Sequence, residues 1–306
     1  MNNRIRALFA GDVSIDLTMR CSHVPAPDEK VHVNAAVEAP GGVAANAAVA
    51  CALAGTATTL MIATGDDEPG ERIIGKLQAY GVTVDASVRA GPTCRVVVLV
   101  EPHGEKRLLL YPGVSMYPEK KQIADVSLHD VGWFHTAVYH IPNAEAMVER
   151  CREQHIPWSL DLEPSTFPGG IGTLSKLVDG AAAVFCNLRA SAAIGPDAAG
   201  QLLQMGAASV VETLGRDGAR LCDTGGFYHV PAPRVTVIDT TGAGDCLAGW
   251  FVAERLQGAS PEQALRTAVD AAALSCRRLG AQSSFPSRAQ LAEPAARHLS
   301  SCPLAE

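Results

Sequence analysis

The chain has 306 residues, of which 47% are hydrophobic and 19% are charged, and its formal net charge is −7 at pH 7. This composition is typical of a globular protein with one large domain, and it argues against a nucleic-acid or anionic-membrane surface, because both need clustered Lys and Arg. The nine cysteines are scattered without close pairs, which fits neither a zinc ribbon nor a disulfide framework. We therefore expect buried thiols in a cytoplasmic protein that has no membrane segment and no nucleic-acid partner.

Strand-like and helix-like segments alternate along most of the chain, which predicts a mostly parallel sheet flanked by helices. The apolar run 7–13 predicts a first strand, and the small-residue run 44–53 predicts a helix. The other elements are assigned from apolar periodicity in the same way. The further predicted strands are 58–63, 131–134, 158–162, 182–186 and 209–212, and the further predicted helices are 69–80, 143–154 and 261–278.

Two regions interrupt this alternation. Residues 17–39 are polar with alternating valines, and residues 94–111 have the pattern of two strands around a Pro-His-Gly turn. We expect these regions to form a small β-sheet that stands off a single domain spanning residues 1–306. A lid over a ligand pocket is the preferred interpretation, and an edge extension of the main sheet is the alternative.

Two polar segments near the N-terminus are candidates for binding a hydroxylated ligand. Residues 11–16 lie at the carboxyl end of the first predicted strand, where ligands bind in open α/β sheets. Asp16 could hold two sugar hydroxyls there, although a turn or helix cap would look similar. Gly41 and Gly42 allow the backbone to approach a ligand, and Asn46 offers both a donor and an acceptor.

The segment 239–245, Asp-Thr-Thr-Gly-Ala-Gly-Asp, carries the strongest chemical signal. It follows a β-like run at residues 235–238, and its glycines expose backbone N–H groups at the start of an apolar helix, where anions are favoured. Asp245 places a carboxylate in the same first turn. An anion site beside a base predicts phosphoryl transfer to a hydroxyl whose proton Asp245 accepts. Residues 213–218 form a polar glycine turn that could line a nucleotide.

Two motif matches are rejected. Residues 70–77 follow the P-loop spacing until Leu77 replaces the Ser or Thr that would hold Mg²⁺, and they lie in a predicted amphipathic helix. Gly242 and Gly244 could begin a dinucleotide fingerprint, but Leu247 occupies the third glycine position. The second mismatch weakens the interpretation as a nicotinamide dehydrogenase.

The motifs at 11–16, 41–46, 213–218 and 239–245 resemble, in this order and at these separations, those of the ribokinase-like (PfkB) carbohydrate kinase family. The resemblance spans nearly the whole chain, and segment 239–245 matches the family signature in full. It implies a ribokinase-like α/β fold with a small β lid. It also implies a kinase that transfers the γ-phosphoryl group of Mg·ATP to a hydroxyl of a sugar or sugar-like molecule, often as a homodimer joined through the lid.

The resemblance implies a role for each matching residue. Asp245 would be the catalytic base beside an anion hole, which consists of the backbone N–H groups of Gly242, Ala243 and Gly244. The substrate contacts would be Asp16, Gly41, Gly42 and Asn46. The ATP site would be lined by Asn187, Thr213, Gly215 and Gly218. A monovalent cation such as K⁺ would be held by Asp239, Thr241, Gly280 and Ser284, mainly through their carbonyl oxygens.

The chain departs from the family's Asn-x-x-Glu motif, which helps to organise Mg²⁺ through water. Asn187 is present, but Ala190 stands at the glutamate position. We expect another acidic residue to compensate, and Glu163, directly after the predicted strand 158–162, is the candidate. The same departure motivates a different hypothesis, a non-catalytic sugar- or nucleotide-binding protein, which the intact Asp245 opposes.

The acceptor stays open among a neutral sugar, a nucleoside and a phosphorylated or otherwise anionic sugar. Lys30, Arg95 and Arg107 lie in or beside the predicted lid, where they could pair with an anionic substrate. Solvated surface charges are the ordinary alternative. The sequence therefore predicts a small-molecule kinase without naming its sugar.

Overall fold

The computed structural model describes residues 5–102 and 106–293. The strands are β1 (Arg6–Ala10), β2 (Ser14–Arg20), β3 (Ala35–Gly41), β4 (Thr58–Gly65), β5 (Val82–Arg89), β6 (Arg95–Val100), β7 (Lys106–Tyr111), β8 (Val131–Ala137), β9 (Trp158–Leu162), β10 (Ala183–Asn187), β11 (Val210–Thr213), β12 (Ala219–Asp223) and β13 (Gly226–Val230). The helices are α1 (Val43–Leu53), α2 (Glu68–Ala79), α3 (Lys120–Asp125), α4 (Ile141–Glu153), α5 (Ser175–Val178), α6 (Leu188–Ile194), α7 (Ala198–Gln204), α8 (Ala243–Leu256), α9 (Pro261–Ser275) and α10 (Arg288–Ala292).

Within the described residues, a nine-stranded main sheet has the order β13-β12-β11-β10-β9-β8-β1-β4-β5. Every neighbouring pair from β11 to β5 is parallel, and β12 and β13 extend one edge in the antiparallel sense. Successive residues of β1 point to opposite faces, so that Ala7 and Phe9 join one hydrophobic core while Leu8 and Ala10 join the other. The predicted mostly parallel sheet flanked by helices is confirmed.

A separate small sheet has the order β3-β2-β6-β7, as far as the described residues show. The predicted hairpin is present, because β6 and β7 pair in the antiparallel sense. Its turn includes residues 103–105, which lie outside the described residues. The small sheet is wider than the predicted range 17–39, since β2 begins at Ser14 and β3 ends at Gly41. The alternative of an edge extension of the main sheet is wrong.

The connections between the two sheets converge on one seam. The Ser115 hydroxyl donates to the carbonyl of Val13 at 3.1 Å and accepts the N–H of Cys94 at 2.7 Å. The Asp12 carboxylate accepts the N–H groups of Val43 and Ala44, each at 3.1 Å, and so caps the start of α1 across the seam. The segment between β1 and β2 is therefore tied to the segments that precede α1, β6 and α3.

Two predicted strands end differently. The first strand ends at Ala10, because residues 11–13 leave the main sheet and lead to β2, which begins at Ser14. The β-like run at 235–238 is not a strand: Val237 and Ile238 are 57% and 54% exposed, and the Ile238 N–H donates to the Cys276 carbonyl rather than to a strand. The rejected P-loop match lies inside α2, as predicted.

The strands β5, β12 and β13 were not predicted. None of the described helices combines the length and the apolar character that a bilayer-spanning segment needs. The cysteines within the described residues are free thiols, and all but Cys276 are buried.

Candidate active site

Helix α8 begins at a glycine that no other residue could replace without strain. Gly242 has φ 75° and caps the helix without a side-chain hydrogen bond. A Cβ at this position would lie 2.8 Å from Ala281 Cβ and 2.9 Å from the ring of Phe285. The Ala243 N–H donates to the Thr240 carbonyl at 3.3 Å, whereas a Cβ on Gly244 would meet nothing within 4 Å. The space beside Gly244 is therefore open, but one of the three predicted anion-hole N–H groups is engaged by the preceding loop.

Close packing of α8 against α1 brings Asp245 to Asn46. A Cβ on Gly249 would lie 2.2 Å from the Ala47 carbonyl, so only glycine allows the two helices to approach this far. One turn earlier on α8, the Asp245 Oδ2 atom accepts a hydrogen bond of 2.7 Å from Asn46 Nδ2. The structure thus joins the predicted base and a predicted substrate contact directly.

Asn46 is itself held in place by a residue that the sequence analysis missed. Gln282 Nε2 donates to Asn46 Oδ1 at 3.0 Å, and both side chains are buried. Because the amide oxygen of Asn46 is engaged by Gln282, its NH₂ group is turned towards Asp245. Gln282 lies between two residues named in the sequence analysis, Gly280 and Ser284, and this proximity was its only sequence signal.

Burial and acidic neighbours raise the pKa of Asp245. Burial, followed by the charge of Asp161, raises the pKa of Asp245 well above its ordinary value, and the Asn46 hydrogen bond opposes this rise. Burial and the charges of Glu163 and Asp12 raise the pKa of Asp161 to about 8. The pKa of Asp12 is raised to about 7, chiefly by burial. These carboxyl groups come from the ends of different strands and from α8. The fold brings them close together, so their negative charges repel one another.

The other predicted substrate residues lie next to this centre. The Ser14 hydroxyl donates to Asp16 Oδ1 at 2.6 Å, and burial raises the pKa of Asp16. Gly41 makes room for that carboxylate, because a Cβ there would lie 2.2 Å from Asp16 Oδ2. Gly42 has φ 104° and its carbonyl accepts the N–H of Asn46 at 2.8 Å. The four predicted substrate residues therefore form a continuous wall, and Asp12, which caps α1 behind it, was missed.

The predicted nucleotide residues lie on neighbouring strands. Asn187 and Thr213 are paired across β10 and β11 at their carboxyl ends. Gly215 has φ 60°, and a Cβ there would meet nothing within 4 Å, which leaves an open surface. Gly218 serves the turn instead, because a Cβ there would lie 2.0 Å from the Val230 carbonyl. Gly218 therefore shapes the turn, whereas Asn187, Thr213 and Gly215 remain the candidates for contacts with a nucleotide.

The position where the family has its glutamate, residue 190, is buried in this protein. Ala190 is fully buried, and its N–H donates to Asn187 Oδ1 at 2.9 Å as a helix cap. Glu163 follows β9, whose neighbour is β10, and it accepts a hydrogen bond of 3.4 Å from the Tyr139 hydroxyl. Among the residues that the structure describes, no three metal-ligating side chains converge on one point.

A lysine contacts two of the four predicted monovalent-cation residues, Asp239 and Thr241. Lys106 Nζ donates to Asp239 Oδ1 at 2.9 Å and to the Thr241 hydroxyl. The N–H of Gly280 donates to Asp239 Oδ2 at 2.9 Å, and the Ser284 hydroxyl donates to the Ala281 carbonyl at 2.8 Å. Lys106 lies far from these residues in sequence, and no sequence signal pointed to it.

Comparison with known proteins agrees with this geometry. The model of the pfkB family carbohydrate kinases matches residues 5–288. The chain is 29% identical to an ATP-dependent ribose-1-phosphate kinase of Halopiger xanaduensis, over 91% of this chain and 94% of the relative. It is 28% identical to an aminoimidazole riboside kinase of Salmonella typhimurium, over 78% and 77% of the two chains.

The fold is also that of solved structures. A ribokinase of Arabidopsis thaliana, solved with ribose and ATP, superposes with a TM-score of 0.81 at 22% identity and covers 98% of this chain and 99% of its own. The ribokinase-like fold is thus confirmed. Phosphoryl transfer from ATP to a hydroxyl of a sugar or sugar-like molecule is confirmed at the level of the family, which removes the dehydrogenase hypothesis. The chain belongs to the pfkB family of carbohydrate kinases.

Proposed function

We propose that this kinase phosphorylates a hydroxyl of a neutral sugar or riboside with Mg·ATP, and that Asp245 is its catalytic base. The position of Asp245 carries this proposal: the residue lies in the first turn of α8, beside open space over Gly244, and is bonded to Asn46. A carboxylate with a raised pKa accepts a proton more readily than an ordinary aspartate. The anion hole stabilises the charge that develops on the transferred group.

The substrate wall binds and orients the acceptor. Asp16 accepts hydrogen bonds from sugar hydroxyls, and the second N–H of Asn46 donates to the same molecule. Asn46 also contacts Asp245. A sugar that binds Asn46 therefore has its acceptor hydroxyl placed beside the base. Such positioning contributes to the rate by converting a bimolecular encounter into an oriented complex.

The nucleotide would lie on the carboxyl ends of β10 and β11, along Asn187, Thr213 and Gly215, with Gly218 supporting the turn. When bound, Mg²⁺ would neutralise charge on the phosphates of ATP. Glu163 is proposed to hold a water molecule of that ion in place of the glutamate that Ala190 replaces. Its position directly after β9, the strand that pairs with β10, whose last residue is Asn187, supports this role.

The cations of the small sheet favour a neutral acceptor. Arg95 approaches Asp67 at 3.7 Å, and Arg107 approaches Glu101 at 3.6 Å. Two of the three cations named in the sequence analysis therefore already lie near a carboxylate, which supports a neutral acceptor, while Lys30 is exposed. A phosphorylated sugar is kept as the second candidate, because one of the relatives is named a ribose-1-phosphate kinase.

The small sheet is proposed to act as the lid of a single domain and as the surface of a homodimer. Its edge strand β7 exposes Leu108, Leu109, Leu110 and Tyr111 by 60%, 65%, 50% and 57%. Exposed apolar surface of this size is typical of an association site. The free thiols support a reducing compartment such as the cytoplasm. K⁺ at Asp239, Thr241, Gly280 and Ser284 stays a prediction that no observation tests, and Lys106 already occupies the side-chain oxygens of Asp239 and Thr241.

The experiment is a coupled assay of ADP release over a panel of acceptors. The panel contains ribose, deoxyribose, fructose, 2-dehydro-3-deoxygluconate, inosine, adenosine, aminoimidazole riboside and ribose 1-phosphate. We expect turnover with a neutral sugar or riboside. Turnover with ribose 1-phosphate alone would select the second candidate, and no sugar-dependent ADP release with any acceptor would favour the non-catalytic binding protein.

A further inference from the structure

The ammonium group of Lys106 links the small sheet to the loop that precedes α8. Lys106 is the first residue of β7 in the small sheet, and its partners Asp239 and Thr241 precede α8. The side chain of Asp239 is 10% exposed and that of Lys106 is 25% exposed, so water screens this ion pair only in part. Thr241 is followed directly by Gly242, the first residue of the anion hole.

Both carboxylate oxygens of Asp239 already accept hydrogen bonds. Asp239 Oδ1 accepts the Lys106 ammonium together with the N–H and the hydroxyl of Thr241, at 3.0 and 2.6 Å, and Oδ2 accepts the N–H of Gly280. The Cys276 carbonyl accepts the N–H groups of Ile238 and Asp239. A K⁺ ion would have to displace the ammonium group to reach the same carboxylate.

The charges of the cluster balance without an added ion. Asp239 contributes one negative charge, and the Lys106 ammonium, the Thr241 hydroxyl and the Gly280 N–H all donate hydrogen bonds to its carboxylate. Lys106 contributes one positive charge, as a monovalent cation would. The residues present therefore fit a cluster completed by a lysine rather than by a metal ion.

We propose that Lys106 Nζ is the built-in monovalent cation of this kinase. Its ammonium group holds residues 239–241 in the conformation that presents the anion hole, and it does so only when the small sheet lies against the main sheet. Wild-type turnover should therefore be indifferent to K⁺, and replacing the ammonium group should create a requirement for an added cation. Lys106 acts through the loop and is a positioning residue.

The test compares wild type, Lys106→Met and the control Lys121→Met in K⁺, NH₄⁺, Na⁺ and N-methylglucamine at constant ionic strength. Lys121 makes only an exposed ion pair with Asp125, so its replacement controls for the loss of a surface lysine. Two quantities are measured for each variant: kcat/KM with the best acceptor, and the Tm of the protein without ligands.

We expect wild type and Lys121→Met to have the same kcat/KM and Tm in all four salts. Lys106→Met should lose about tenfold in kcat/KM, the scale of one charge-assisted hydrogen bond, and should recover most of it in K⁺ or NH₄⁺. Its Tm should rise in K⁺ relative to N-methylglucamine. Activation of wild type by K⁺, or a loss in Lys106→Met that no cation restores, would overturn the proposal.

The rate measurement rests on the proposed kinase function, but the Tm comparison does not. If no acceptor is turned over, the kinase proposal fails while the salt dependence of Tm still decides the role of Lys106. A Tm of Lys106→Met that is identical in K⁺ and N-methylglucamine would contradict the built-in cation by itself.

Discussion

Replacing Asp245 by asparagine should abolish most of the activity and leave the fold intact. The substitution removes the base but keeps an amide oxygen that can accept the 2.7 Å hydrogen bond from Asn46. General base catalysis contributes about 10²- to 10⁴-fold, so we expect kcat to fall about 10³-fold, equivalent to about 4 kcal/mol in the activation free energy. KM for the acceptor should change little, because the substrate wall is untouched.

The same substitution makes a prediction about stability. The folded-state pKa of Asp245 is raised above the unfolded value, so the ionised carboxylate costs folding free energy at high pH, and this cost disappears as the pH falls below the unfolded pKa. Asp245→Asn should therefore be more stable than wild type at pH 8, and the difference should shrink towards pH 4.

The assay is steady-state ADP release combined with urea unfolding at the two pH values. Asp270→Asn is the matched control: Asp270 lies on α9, burial also raises its pKa, and it has no assigned part in the site. The control should retain wild-type kcat. A rate for Asp245→Asn within a few-fold of wild type would refute the assignment of the base, and a lower stability at pH 8 would refute the electrostatic reasoning.

Three further substitutions test the surroundings of the base. Glu163→Ala should raise the Mg²⁺ concentration for half-maximal rate by about tenfold, and an unchanged Mg²⁺ titration would remove the compensating role. Gln282→Met should move the acid limb of kcat to higher pH, because it loosens the Asn46 hydrogen bond that lowers the pKa of the base; a limb that does not move would contradict this link. Gly41→Ala places a Cβ against Asp16 and should raise KM for the sugar about tenfold without changing KM for ATP, whereas an equal rise in both would indicate general misfolding.

The parallel layout of the fold could be predicted because each buried strand is a short apolar run between turn residues. β9 lies at 158–162, as predicted, and α2 covers the predicted amphipathic face with Ile73 and Leu77 buried. The run 235–238 has the same apolar pattern but finds no partner strand, so local propensity alone gave a wrong strand. Strands β12 and β13 were missed because their edge position mixes polar and apolar residues.

The candidate site could be predicted only where a reactive side chain and the backbone feature beside it lie in the same short segment of sequence. Asp245 and Gly242 belong to one helix start, and the glycine pattern there has a direct physical meaning. Gln282 and Lys106 act through contacts with residues distant in the chain, and a single sequence carries no record of such contacts. In the sequence, Lys106 looks like any other surface lysine, and only the fold shows that it contacts Asp239.

The seam at Ser115 and Asp12 decides how the acceptor pocket can open. Asp16 lies on a strand of the small sheet, whereas Asn46 lies on a helix beside the main sheet, so the two proposed sugar contacts belong to different parts of the fold. We infer that the hydrogen bonds at the seam would let the small sheet rotate about this line more easily than slide across it. If the proposed contacts hold, a sugar that touches both residues would keep the two parts together and exclude water from Asp245.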